Sequence, residues 1–190
     1  SDLKEKVIRD YQMAGDAHSN NYRFQDALAA YQNALAEIDK TRDPQGWASV
    51  TNDLSNTYES LGERAEGQAA QAYLAQAVAG YRAQLDIYTR ATAPQDWAMT
   101  QNNLGTALQR QGERTSGEEG TRLLAEAVAA YRAALDVRTR ADLPQGWAMT
   151  QNNLGLALQT QGERTDGEDG TRLLAEAVAA YRAALDVYTR

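Results

Sequence analysis

PQGW at residues 44–47 returns as PQDW at 94–97 and as PQGW at 144–147, so the chain repeats itself every 50 residues. A fixed period constrains the fold strongly, because each copy must be a supersecondary unit that buries its apolar face against its neighbours. Aligned at that period, 94–140 and 144–190 differ only at positions 96, 106, 110, 116, 119 and 138, the mark of a recent duplication. Segment 44–90 is an older copy that keeps the frame more loosely, with Trp47, Leu54, Ala77 and Tyr81 matching Trp97, Leu104, Ala127 and Tyr131.

Each copy reads as two helices, A and B. Pro144 suits a first helical turn, where its fixed φ is already correct and its missing N–H is not needed. The pattern of helix A runs to about Gly162, read as a left-handed stop. GERTDGEDG is turn chemistry, after which Leu174, Ala177, Tyr181, Ala184, Leu185 and Tyr188 fall at helical spacing. Helix B begins either after Ser116 and Asp166, with acids in its first turn, or at Thr121 and Thr171. The threonine caps are the preferred reading. The connectors TRATAP and TRADLP are short and end in proline, which makes neighbouring helices antiparallel. Abundant alanine with three prolines and one phenylalanine favours an all-α chain over a sheet protein.

The spacing of Leu154-Gly155, Leu158, Ala177, Tyr181 and Ala184 resembles the tetratricopeptide repeat, with its LG pair, bulky residue three on, and A-x3-F/Y-x2-A. The N-terminal segment matches the same frame at the family's own length of about 34 residues, through Ala14-Gly15, His18, Phe24, Ala27, Tyr31 and Ala34. Four repeats result, at roughly 1–43, 44–93, 94–143 and 144–190, in one array. The resemblance implies a right-handed superhelical stack of antiparallel helix hairpins, about eight helices in all, whose concave channel is lined by the A helices.

On a helical wheel at about 100° per residue, Trp147, Leu154 and Leu158 share a core arc, with Gly155 and Ala157 at its flanks, where small side chains admit a neighbouring helix. Met149, Asn152, Asn153, Leu156, Gln159 and Thr160 lie opposite, expected to be out of reach of the packing partners. The corresponding residues are Met99, Asn102, Asn103, Thr106, Gln109 and Arg110, then Ser49, Asn52, Asp53, Asn56, Glu59 and Ser60. A solvated face would account for such an arc, but three features point to a ligand. Asparagine, a mediocre helix former, recurs in register at Asn52, Asn102 and Asn152, and its carboxamide can pair with the backbone of an extended peptide. Met99, Met149 and Leu156 place adaptable apolar contacts on a face expected to be wet. Between Trp97 and Arg114, the two youngest copies differ only at 106 and 110 of this arc, which drift at exposed sites explains equally well. By resemblance, the candidate peptide-binding set is Asn52, Asn56, Met99, Asn102, Asn103, Thr106, Gln109, Arg110, Met149, Asn152, Asn153, Leu156 and Gln159.

Composition closes off other classes. With no cysteine and one histidine, His18, thiolate chemistry is excluded and an ordinary metal centre or a nucleophile and base pair lacks its parts. His18 is expected to pack. No cofactor and no enzymatic activity are expected, since no polar cluster combines a nucleophile, a base and an orienting group. A net charge of -7 argues against nucleic acid as a partner. No apolar run approaches the roughly 20 residues of a membrane span, and SDLKEKVIRD lacks a signal-peptide core, so the cytoplasm is the expected compartment. The tryptophans are expected to pack in the core stripe. The arginines of the GER triplets at 62–64, 112–114 and 162–164 are expected to meet a helix end or an acid. The loops TSGEEG and TDGEDG lack the alternate oxygens and closing acid of a calcium site.

The resemblance thus implies a protein or extended peptide as the partner. One subgroup of the family grips C-terminal carboxylates with basic residues on this arc, which fits poorly where Arg110 is the arc's only cation in the later repeats. Two alternatives stand beside the peptide groove. The last helix B is expected to expose Tyr181, Leu185 and Tyr188 and so to promote end-to-end self-association. Similar long-repeat arrays are also fused to signalling or protease domains, which would make the chain the sensor or regulatory portion of a larger protein.

Overall fold

The computed structural model describes residues 2 to 189, which form eight helices and, among the described residues, no strand. They are α1 (Asp2–Asn20), α2 (Phe24–Glu37), α3 (Pro44–Arg64), α4 (Gly67–Leu85), α5 (Pro94–Glu113), α6 (Gly117–Leu135), α7 (Pro144–Glu163) and α8 (Gly167–Tyr188). The chain is all-α, and consecutive helices pair as hairpins. It divides into two compact units, Ser1–Ile87 and Tyr88–Arg190, each holding two hairpins. In the first unit α3 packs on α2 of the preceding hairpin, and in the second α7 packs on both α6 and α5.

Each hairpin closes through one small residue under one tyrosine. A Cβ placed on Gly105 would lie 2.8 Å from the ring of Tyr131, and on Gly155 the same distance from the ring of Tyr181. On Gly15 it would lie closer still to the ring of Tyr31. In these three hairpins the glycine is therefore a steric requirement, because with the tyrosine ring so placed only a hydrogen at that position lets the helices approach to contact. Beside each tyrosine sits a buried alanine, Ala27, Ala77, Ala127 or Ala177, that keeps the spacing short. The second hairpin solves the problem differently. Ser55 stands where the others have glycine, its hydroxyl donating to the Thr51 carbonyl at 2.7 Å. Facing it is Gly80, where the later copies have Ala130 and Ala180, and a Cβ on Gly80 would collide with the Ser55 hydroxyl. The hydrogen has moved from helix A to helix B.

The A helices of the last three hairpins open at proline, as the sequence indicates, and Asp43 caps α3 by accepting the Gly46 N–H at 2.8 Å. Two boundary expectations need correction. Gly112 and Gly162 are not left-handed stops: α5 and α7 continue through them to Glu113 and Glu163, and both glycines are buried against the start of helix B. The left-handed residues are instead Gly67, Gly117 and Gly167, with φ of 57°, 68° and 72°. Those glycines open the B helices, so Thr121 and Thr171 lie just past the first turn and donate back to the carbonyls of Gly117 and Gly167. Glycine enters this region without steric cost, and the chain geometry it permits prevails over the capping preference of threonine.

The tryptophans are half-buried rather than part of the core stripe, which in α7 consists of Ala148, Thr150, Leu154, Ala157 and Leu158. Each ring lies under a cation from its own connector: Lys40 is 4.1 Å from the Trp47 ring centre, Arg90 5.9 Å from Trp97, and Arg140 5.7 Å from Trp147. Arg90 and Arg140 also pair with Asp136 and Asp186 at the ends of α6 and α8, so one side chain ties connector, tryptophan and helix end together.

Candidate functional site

The candidate set divides by burial and partnership. In the second unit, Met99, Met149 and Leu156 are 38%, 45% and 44% exposed, large fractions for apolar side chains on packed helices. Asn152 is exposed, Asn103 and Asn153 are half-buried beside these residues, and Arg110 is half-buried. Because α5 and α7 pack side by side, these residues form one mixed strip of thioether, aliphatic and carboxamide groups.

Five members are not out of reach of the packing partners, as the wheel implied. Asn102 is buried at 5% exposure, and its Oδ1 lies 3.1 Å from the Thr150 hydroxyl, whose one proton it shares with the Gly146 carbonyl at 2.9 Å, linking α5 to α7. Gln109 is equally buried: its Oε1 accepts the Tyr131 hydroxyl at 3.1 Å and its Nε2 donates to Glu113 at 2.8 Å. Thr106 Oγ1 lies 3.1 Å from the same hydroxyl and shares its one proton with Gln109. Gln159 accepts from Tyr181 at 3.0 Å, and Asn56 accepts from Tyr81 at 2.6 Å. For Gln109, Thr106 and Gln159 the cause is the glycine contact. A tyrosine ring lying flat across a bare stretch of helix A carries its hydroxyl past the core stripe to the polar arc, where it needs an acceptor. A wheel of helix A alone contains no sign of that reach.

The equivalent face in the first unit is more acidic. Tyr31 donates to Asp16 at 2.6 Å, and burial, followed by that hydrogen bond, raises the phenol well above its ordinary range. Burial, and then the nearby charge of Asp16, pushes the Asp53 carboxyl up, with a hydrogen bond from Asn52 opposing the shift. The Asn52 Oδ1 itself is buried without a hydrogen-bond partner among the described residues. Asp53 occupies the position of Asn103 and Asn153, so the two units present different chemistry at the same place in the repeat.

Sequence reasoning also missed the destination of Arg164. It does not cap its own helix; it reaches the end of α5 and donates to the carbonyls of Gly112, Glu113 and Thr115 at 2.8, 2.8 and 3.0 Å. Arg64 instead lies over the rings of Tyr22 and Phe24, at 5.6 and 4.8 Å, because the shorter first hairpin puts aromatics at its turn. Arg64 and Arg164 thus each serve the preceding hairpin of their own unit.

No described helix is long and apolar enough to cross a membrane, and among the described residues no group of three or more potential ligands is placed to hold a metal ion. No protein-family model matches the chain, and no curated protein matches it either. The chemistry available on the helix A faces is therefore contact and hydrogen bonding: adaptable apolar side chains beside amides that both donate and accept.

Proposed function

We propose that the chain is a non-catalytic docking module of tetratricopeptide type, in the cytoplasm, and that the helix A face of its second unit receives an extended peptide or protein segment. The observation that carries this reading is the exposure of Met99, Met149 and Leu156 together on one strip. Burying three such side chains against a ligand releases more free energy than leaving them in water, at roughly 25 cal/mol per Å² of apolar surface. Asn103, Asn152 and Asn153 flank them with donors and acceptors suited to a peptide backbone. Asn102 and Gln109 support the strip from beneath rather than touch the ligand, since their polar groups are engaged within the fold.

A random peptide library displayed on phage and selected against the full chain tests the proposal. Selected peptides should lose at least about tenfold in affinity for a Met149→Ser, Leu156→Ser variant, consistent with two apolar contacts, and keep it for Leu174→Ser. Peptides that respond the other way round, or a selection that yields no binder, would move the function off this strip.

A further inference from the structure

We propose that the turn joining α1 to α2, with the end of α3 beside it, is an interaction surface for a segment of a partner protein that presents one carboxylate next to an apolar side chain. Tyr22, Phe24 and Arg64 build this surface inside the first unit, and it shares no residue with the helix A strip of the second. The turn carries an unfavourable backbone. Tyr22 has a φ of 58°, whereas every other left-handed residue described is a glycine. Its N–H bonds the Ser19 carbonyl at 3.0 Å and the Arg23 N–H bonds the His18 carbonyl at 2.9 Å, the closing pattern of a helix end whose left-handed place suits glycine. A bulky side chain at that place strains the chain.

The fold recovers little in exchange. The Tyr22 ring is 74% exposed; it meets Phe24 edge to face, with ring centres 6.1 Å apart, and its centre lies 5.6 Å from the Arg64 guanidinium. Phe24 is nearer to the same guanidinium, at 4.8 Å, and is its closer support. A strained residue that faces outward points to a task outside the fold.

Arg64 supplies the polar half. Its counterpart in the last hairpin, Arg164, uses its donors on three carbonyls. Among the described residues no carbonyl or carboxylate accepts from Arg64, although Glu63 and Glu66 lie within two residues of it in sequence. A guanidinium stacked on a ring keeps its N–H groups in its own plane, where two of them match the two oxygens of a carboxylate. The bare face of Tyr22 takes an apolar side chain beside it. Tyrosine and arginine are among the side chains that carry most binding energy in protein interfaces. Charge narrows the occupant further. With two glutamates close to one arginine and a net charge of -7, a nucleic acid or polyphosphate is repelled, while a single carboxylate is matched.

The probe is a random peptide library displayed on phage, selected against the full chain and depleted on a Tyr22→Gly, Arg64→Ala variant. Enriched peptides are expected to carry an aspartate or glutamate next to an apolar residue. They should weaken at least about fivefold when that acid becomes its amide or Arg64 becomes lysine, and should bind a Met149→Ser, Leu156→Ser variant as before. Tyr22→Gly separates presentation from packing: it should raise the melting temperature, because glycine suits the left-handed place, while weakening the same peptides. A lower melting temperature with affinity retained would make the ring structural and overturn the proposal. Failure of any peptide to survive depletion, surviving peptides that lack an acid, or binding indifferent to the Arg64 substitution overturns it too. So does displacement of the peptides by millimolar inorganic phosphate at constant ionic strength, which would assign the site to phosphate.

Discussion

Helices α6 and α8 share almost one sequence and lead different lives. Leu124 is fully buried and Leu174 is 38% exposed; Tyr131 is buried and Tyr181 only half so; Asn102 holds a hydroxyl while Asn152 faces water. The two hairpins differ at six positions in the aligned segments, none of which is among these residues. What changes is the neighbour: α7 packs on α6. In a repeat protein the energetic weight of a residue is thus set by its place in the row as much as by its identity. The pair of hairpins is an internal control, because the same substitution can be made at both addresses.

The sharpest use of that control is Leu124→Ala against Leu174→Ala. The first should cost about 2–5 kcal/mol through lost transfer energy and a cavity, and the second less than about 1 kcal/mol; equal losses in chemical denaturation would erase the contrast. Gly105→Ala and Gly155→Ala form the counter-case, since each tyrosine contact lies within its own hairpin. Both should cost about 1–3 kcal/mol by overpacking, and a large difference between their midpoints would mean that neighbours reach into the hairpin seam. Asn102→Ala should then cost roughly 0.5–1.5 kcal/mol for its bond to Thr150, whereas Asn152→Ala should hold or raise the melting temperature, alanine being the better helix former.

The smallest effect extends the comparison to the other unit. The Asp53 carboxyl titrates above its ordinary value in the folded chain, so the folded state holds its proton more tightly than the unfolded state does. Its favourable contribution is present below the unfolded pKa and is lost as pH rises through the folded pKa. Asp53→Asn, which installs the residue that the later copies carry at 103 and 153, should therefore raise the melting temperature at pH 7. The gain should fade as the pH is brought below the usual carboxylate range, and a gain that persisted unchanged at acid pH would remove the charge as its cause.

The parts of this architecture legible in the sequence were those in which one residue type does one steric job. Prolines 44, 94 and 144 open helices, and the glycine at 15, 105 and 155 meets a tyrosine sixteen or twenty-six residues on, as the repeat frame requires. What escaped were interactions whose two ends lie in different helices. The tyrosine hydroxyls reach an arc that belongs, on a wheel, to solvent. Arg164 acts 49 to 52 residues upstream, on carbonyls that carry no side-chain signal at all. The start of helix B was misplaced for a local reason, because Ser-Gly and Thr both read as starts and only the backbone angle of Gly117 decides between them. In the candidate site, the exposed apolar residues were readable from their position opposite the core, while the buried fate of Asn102 and Gln109 depended on partners from α7 and α6.

The exchange between Ser55 and Gly80 bears on how such copies can diverge. From a glycine on helix A and an alanine on helix B, as at Gly105 and Ala130, two single steps lead toward the serine and glycine pair of the second hairpin. Replacing the alanine first leaves glycine opposite glycine, a looser but unstrained seam. Replacing the glycine first sets a methyl against a hydroxyl and forces that hydroxyl off the Thr51 carbonyl or the helices apart. The order of the two mutations therefore matters although the end point does not, and a serine at 105 or 155 should be tolerated only in chains that already carry glycine at 130 or 180.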